Sequence, residues 1–186
     1  MYLNRMLAPH ITRHGVLVDV YGVGILLTGE SGVGKSEAAL ELVKRGHQLA
    51  ADDVVDICRV ADDRLIGESP EMVRHFMEIR GIGIIDIRAM YGVGSVIVSK
   101  SIDMVIHMEK WDSSKEYDRL GLTEETVTIL GVKVPYQTMP VRPDAIWPSS
   151  SRWRAQLQLK RMGYSAAHEL DRRLNELIAQ NLRNHT

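Results

Sequence analysis

Gly29-Glu30-Ser31-Gly32-Val33-Gly34-Lys35-Ser36 reads G-x-x-x-x-G-K-S, the phosphate-binding loop. Its flanks have the right character. Val23-Gly24-Ile25-Leu26-Leu27-Thr28 ahead of it is a short apolar strand. Glu37 to Arg45 behind it is rich in helix formers, and Gly46 stops it. A strand–loop–helix unit of this kind predicts an α/β domain. The glycines let successive backbone N–H groups curl around one anion, and the helix start adds its dipole. Lys35 is placed to reach the outer phosphates of a nucleotide, and the Ser36 hydroxyl to hold magnesium.

Working outward, His14 to Gly22 alternates as a strand and turns at glycine into the loop strand. After the helix, His47-Gln48-Leu49-Ala50-Ala51 predicts a strand that ends at Asp52-Asp53. Val54 to Val60 and Leu65 to Glu68 predict two more, separated by a polar turn. Pro70 is suited to open a short helix with Met72, Val73, Phe76 and Met77 on one side. In Glu78-Ile79-Arg80-Gly81-Ile82-Gly83-Ile84-Ile85-Asp86-Ile87 the glycines break the first half, and the second half reads as a buried strand. Tyr91 to Gly94 reads as a loop, Ile102 to Met108 as an apolar strand, and Thr126 to Val134 as paired strands around Gly131. Leu170, Leu174, Leu177 and Ile178 form one face of a last helix, capped by Ser165 and running to about Leu182. Strands outnumber helices in the middle, unlike an ordinary doubly wound nucleotide-binding fold.

At 186 residues, with 45% apolar and 25% charged, the chain predicts one soluble domain. A formal net charge of −1 without a basic block argues against a nucleic-acid partner. No apolar run is long enough to predict a membrane span, and the start does not read as a signal peptide. The single Cys58 has no internal disulfide partner, which suits a cytoplasmic setting, and it reads as a small buried apolar residue. His47, His75, His107, His168 and His185 lack metal-ligand spacing and read as structural or solvated. Trp111 reads as packing.

Asp52 and Asp53 sit on the very next strand after the loop helix; Asp53 is eighteen positions past Lys35. Common P-loop enzymes place their magnesium Asp after a later strand. Two adjacent carboxylates beside phosphates are expected to raise one pKa, which suits an acid/base.

The loop, Asp52-Asp53, His14, the segment from Glu78 to Ile84, and Tyr117-Asp118-Arg119-Leu120-Gly121 together resemble one family, the bifunctional HPr serine kinase/phosphorylase of bacterial sugar regulation. The match runs from about Tyr2 to Pro143 and resumes at Met162-Gly163-Tyr164; E-I-R-G-x-G-I after a P-loop is close to a family signature. The resemblance implies a P-loop kinase domain of the phosphoenolpyruvate carboxykinase-like type, with a mixed strand-rich core and a C-terminal helix. It implies a homohexamer, and residues 1–186 as a single catalytic domain without the family's N-terminal domain; Met1 to Arg5 looks like the start of a fragment. It also implies transfer of the ATP γ-phosphoryl to a serine of the carrier protein HPr with Mg2+, and a reverse phosphorolysis that uses phosphate and gives pyrophosphate.

Residue by residue, the resemblance makes Asp53 the catalytic acid/base and His14 an active-site histidine near it. Lys35 and the loop, Gly29 through Ser36, bind the nucleotide. Ser36 and Glu78 are the magnesium ligands. Arg80, with Gly81 and Gly83, binds inorganic phosphate. Arg119 stabilises the transferring phosphoryl group.

The resemblance breaks after Pro143, where the family has a Gly-Arg-Asn loop and an apolar strand. One choice of codons for that family segment, with a single G removed, spells Asp144 through Trp153 in order, so a local frameshift is expected. Pro148 and three serines in place of an apolar strand predict an irregular stretch over 144–158 and cast the phosphorolysis in question. Two rival readings compete. One is a small-molecule P-loop kinase, separated by its acceptor; the other is a catalytically impaired nucleotide-binding module, separated by binding without transfer.

Overall fold

The computed structural model describes residues 8–115, 117, 125–141 and 172. Twelve strands and two short α-helices are defined among them. They are β1 (His10–His14), β2 (Val16–Val20), β3 (Val23–Gly29), α1 (Lys35–Lys44), β4 (Gln48–Ala51), β5 (Val54–Ala61), β6 (Arg64–Glu68), β7 (Phe76–Ile79), β8 (Gly83–Asp86), α2 (Ile87–Tyr91), β9 (Ser99–Ser101), β10 (Met104–Lys110), β11 (Glu125–Ile129) and β12 (Val132–Val141).

A six-stranded mixed sheet in the order β11-β12-β10-β3-β2-β4 forms the centre. β3 is parallel to β10, and β10 to β12, while β2 runs antiparallel to both β3 and β4. The apolar runs of β2 and β3 are continuous because both faces of this sheet are covered. Alternation along the strands divides the two covers. Val16, Val18, Ile25 and Leu27 pack with Ala38, Ala39, Leu42 and Val43 of α1. Leu17 and Leu26 pack instead with Val55, Ile57 and Leu65 of a second sheet, ordered β1-β5-β6-β9. The mixed, strand-rich α/β class expected from the sequence is the one observed.

Differences from the sequence reading have local causes. The expected strand from His14 is two strands in two sheets, with the crossover at Gly15. A Cβ there would lie 2.7 Å from the carbonyl oxygen of Leu27, so only glycine lets the chain cross. The segment after Pro70 is a single 3-10 turn, Glu71–Val73, followed by a strand. Met72 is 92% exposed while Met77 is 1% exposed, so the two do not share a face. His75, at φ 73°, breaks any helix between them. β7 and β8 form a hairpin whose turn uses Gly81 and Gly83 at φ 80° and 99°. Ile84 is exposed rather than buried, because only alternate residues of a one-sided hairpin reach the core. Asp86 then caps α2, its Oδ1 accepting the Ala89 amide at 2.9 Å, so Ile87 and Tyr91 are helical. Cys58 is half-buried on β5 rather than buried. The pair around Gly131 is present as β11 and β12, and Trp111 packs on Tyr117 with ring centroids 4.9 Å apart. The expected irregular stretch over 144–158 lies outside the described residues, as does the expected last helix apart from Arg172.

Candidate active site

β3 delivers Gly29 to the sheet edge, where the chain turns into the loop. Gly29 sits at φ 138°, and a side chain there would run into the carbonyl of Met108 on β10. Gly32 and Gly34 also take positive φ, 78° and 104°, which lets the loop curl before α1 begins at Lys35. The Lys35 ammonium donates to the carbonyls of Gly29 and Glu30, both at 2.9 Å, and so lies across the loop.

β4 ends at Ala51, and Asp52 and Asp53 follow on opposite sides of the chain. Asp52 is buried. Its Oδ1 accepts the Ser36 hydroxyl at 2.8 Å and its Oδ2 accepts the Glu78 amide at 3.1 Å. Burial pushes its carboxyl above the ordinary value of 3.8, the neighbouring Asp53 charge adds to this, and the two hydrogen bonds oppose it. The raised carboxyl is therefore that of Asp52, and its leading cause is desolvation rather than the paired charge expected from the sequence. Asp53 is exposed, and it occupies the left-handed region at φ 63°, a conformation Asp tolerates better than most residues. Its carbonyl accepts the Gly15 amide at 3.0 Å, which fixes the end of β1 alongside. His14 Nδ1 then lies 3.7 Å from Asp53 Oδ1, ion-pair range but too long for a hydrogen bond.

A cavity of about 320 Å3 opens between these elements. Ser31, Gly32, Gly34, Lys35 and Ser36 line it from the loop, Asp52 and Asp53 from the end of β4, and Glu78, Arg80, Gly81 and Gly83 from the hairpin. Arg80 closes over the loop: a Cβ on Gly32 would lie 2.5 Å from its Nη2. The sequence-predicted residues Lys35, Ser36, Asp53, Glu78, Arg80, Gly81 and Gly83 thus meet in one place. Gly29, Glu30 and Val33 shape the loop from behind, and His14 stands beside Asp53 at the rim. Arg119 lies outside the described residues.

Asp52 is the residue that sequence reasoning left without a task. Period-two alternation was the available signal, since adjacent residues at a strand end point opposite ways, and one of the pair must turn inward. Among the described residues no group of three or more His, Cys, Asp or Glu side chains is clustered to hold a metal. Ser36, Asp52, Asp53 and Glu78 supply oxygen donors only, which fits a hard cation brought in with phosphates rather than a closed protein cage. None of the described helices is long and apolar enough to cross a membrane.

A glycine-rich loop, a lysine and an acidic edge meet around one cavity of a mixed, strand-rich α/β domain. The model of the HPr Serine kinase C-terminal domain matches residues 5–174, across the stretch that departs after Pro143. The chain belongs to that family. It is 58% identical over 180 residues to a protein of Thermoanaerobacter sp. (strain X514) named HPr kinase/phosphorylase, with 95% of this chain and 58% of that one covered. A protein of the same name from Geobacillus thermodenitrificans is 52% identical over 180 residues, with 96% and 58% covered. The chain spans under three-fifths of the length of these curated relatives. The solved HPr(Ser) kinase/phosphatase of Coxiella burnetii superposes with a TM-score of 0.74 at 33% identity, covering 86% of this chain and 98% of that one.

Proposed function

We propose that this chain is a serine kinase that transfers the γ-phosphoryl of ATP to a serine of HPr, and that the same site moves the phosphoryl group of phosphoserine-HPr to inorganic phosphate. The observation that carries this reading is the shared cavity. A phosphate cradle and Lys35 form one wall, and the exposed Asp53 carboxylate stands on the other. The names of the relatives support HPr as the acceptor.

The chain's own groups divide the work. The loop amides and Lys35 bind the triphosphate, and Lys35 exchanges its two carbonyl partners for phosphate oxygens. Asp53 takes the proton of the acceptor serine as its oxygen bonds to the γ-phosphorus and the bridging bond to ADP breaks. His14 stands at the rim 3.7 Å from the Asp53 carboxylate, where its imidazolium would favour the ionised base. In the reverse direction Arg80 and the Gly81 and Gly83 amides hold inorganic phosphate, whose oxygen attacks phosphoserine. The bond from phosphorus to the serine oxygen breaks, that oxygen takes up through Asp53 the proton that the attacking phosphate gives up, and pyrophosphate is released. Ser36 and Glu78 would hold Mg2+, with Asp52 orienting Ser36, and the ion neutralises phosphate charge when bound. Arg119 completes the set by family resemblance.

The same reading takes the P-loop domain as phosphoenolpyruvate carboxykinase-like, the assembly as a homohexamer and the compartment as the cytoplasm. Incubation with γ-labelled ATP and purified HPr tests it. Label is expected on an HPr serine only when Mg2+ is present, and labelled pyrophosphate is expected when that labelled phosphoserine-HPr is mixed with unlabelled phosphate. Tight ATP binding with no transfer to HPr would overturn it.

A further inference from the structure

β10 runs alongside the root of the phosphate-binding loop. It is parallel to β3, with His107 opposite Thr28 and Met108 opposite Gly29, the first residue of the loop. Alternation puts Thr28 and His107 on the face that Leu26 and Val105 share, away from α1. There the Thr28 hydroxyl and His107 Nδ1 lie 3.2 Å apart, a hydrogen bond between two half-buried groups. On β12, Tyr136 stacks on the same imidazole, with ring centroids 6.1 Å apart and planes 24° apart. The ring is thus braced by one neighbouring strand and bonded to the residue that precedes the loop. Its bond survives a change of tautomer. Nδ1 accepts the threonine proton, or donates to the hydroxyl while that proton turns to the Ile106 carbonyl at 3.5 Å. Neither Thr28 nor His107 lines the phosphate cavity.

We propose that His107 is a positioning residue for phosphoryl transfer: through Thr28 it fixes the root of the loop, and with it the place of the γ-phosphoryl relative to Asp53. This rests on the kinase reading above. The loop and the base hang from different strands. The loop leaves β3, Asp53 follows β4, and β2 lies between them in the sheet. Gly32 and Gly34, both at positive φ, leave the loop backbone permissive, so its position is set at its two ends. One end is α1, held in the core by Ala38, Ala39, Leu42 and Val43. The other is Thr28, and His107 is the side chain that holds it. Misplacing reacting atoms by about 1 Å costs on the order of 100-fold in rate, so a slack root is felt in the transfer step.

The test compares the unmodified chain with Thr28→Val, His107→Phe, the double variant of these two, and His107→Asn. Valine keeps the β-branch that the strand favours and loses the hydroxyl. Phenylalanine keeps a ring for Tyr136, and asparagine returns a hydrogen-bonding atom near the place of Nδ1. The readouts are kcat and KM for transfer to HPr, calorimetric affinity for ATP, and the imidazole 15N resonances with and without ADP. Thr28→Val and His107→Phe are each expected to lower kcat about tenfold, with ATP affinity within about twofold of the parent. The double variant is expected to fall no further than either single, because both remove the same bond, and His107→Asn to recover most of the loss. ADP is expected to shift the His107 resonances in the unmodified chain and not in Thr28→Val. Parental kcat in His107→Phe overturns the assignment. So does a double variant that falls by the product of the singles, or His107→Asn as slow as His107→Phe. If the unmodified chain transfers nothing to HPr, the kinase reading falls, and the hold on the loop is judged on the ADP-induced shift, whose absence overturns it.

Discussion

The Ser36 hydroxyl donates a 2.8 Å hydrogen bond to Asp52 Oδ1, and the other oxygen of that carboxylate takes the Glu78 amide at 3.1 Å. One buried side chain thus ties the first turn of α1 to the hairpin that carries Glu78. Asp52→Asn keeps an oxygen for Ser36 but turns an N–H toward the Glu78 amide, where two donors then oppose each other. Loss of such an orienting partner typically costs about 10–100-fold in metal affinity or activity. The Mg2+ concentration for half-maximal transfer is expected to rise by that order, with ATP still bound in the absence of metal.

The same carboxyl gives a pH signature. Burial raises its folded pKa above 3.8, so its ionisation opposes folding. Its favourable contribution is fully present below 3.8 and is lost as pH rises through the raised folded value. The melting temperature of Asp52→Asn is therefore expected to gain on that of the parent as pH rises through this window. Two profiles that stay parallel would show that Asp52 does not titrate there.

Gly32 cannot accept a side chain. Its φ of 78° costs an L-residue about 1–2 kcal/mol, and a methyl would lie 2.5 Å from the Arg80 guanidinium. Gly32→Ala is expected to lower stability in urea by about 1–2 kcal/mol and to displace Arg80 from the loop. Phosphate-dependent release of pyrophosphate then weakens along with ATP affinity.

Met77 and Met72 separate the strand from the helix that the sequence led one to expect. Met77 is 1% exposed and anchors β7 in the core, whereas Met72 is 92% exposed. Met77→Ala is expected to cost about 2–5 kcal/mol, and Met72→Ala less than about 0.5 kcal/mol. Equal costs would restore the helical reading.

What was legible in the sequence follows from the strength of local signals. The loop, β3, α1 and the strand ending at Asp52 were readable because glycine spacing, apolar runs and helix formers agree. The convergence of Glu78 and Arg80 on Lys35 came from family resemblance, since their own segment reads locally as a solvated end. The hairpin was misread because His75 adopts a left-handed φ that no neighbour in sequence announces. Ile84 was taken as buried because apolar content does not tell a two-sided strand from a one-sided one. Asp52 was overlooked because its task depends on Ser36 and Glu78 arriving from two other elements.

Single-turnover transfer from γ-labelled ATP to HPr, measured for the parent and for Asp53→Asn, bears most directly on Asp53 as the base. Asparagine suits this test because it tolerates the left-handed backbone at φ 63°, which alanine does not. Transfer is expected to fall by about 10²–10⁴-fold while ATP affinity holds; transfer at the parental rate would contradict the assignment of Asp53 as the group that takes the serine proton.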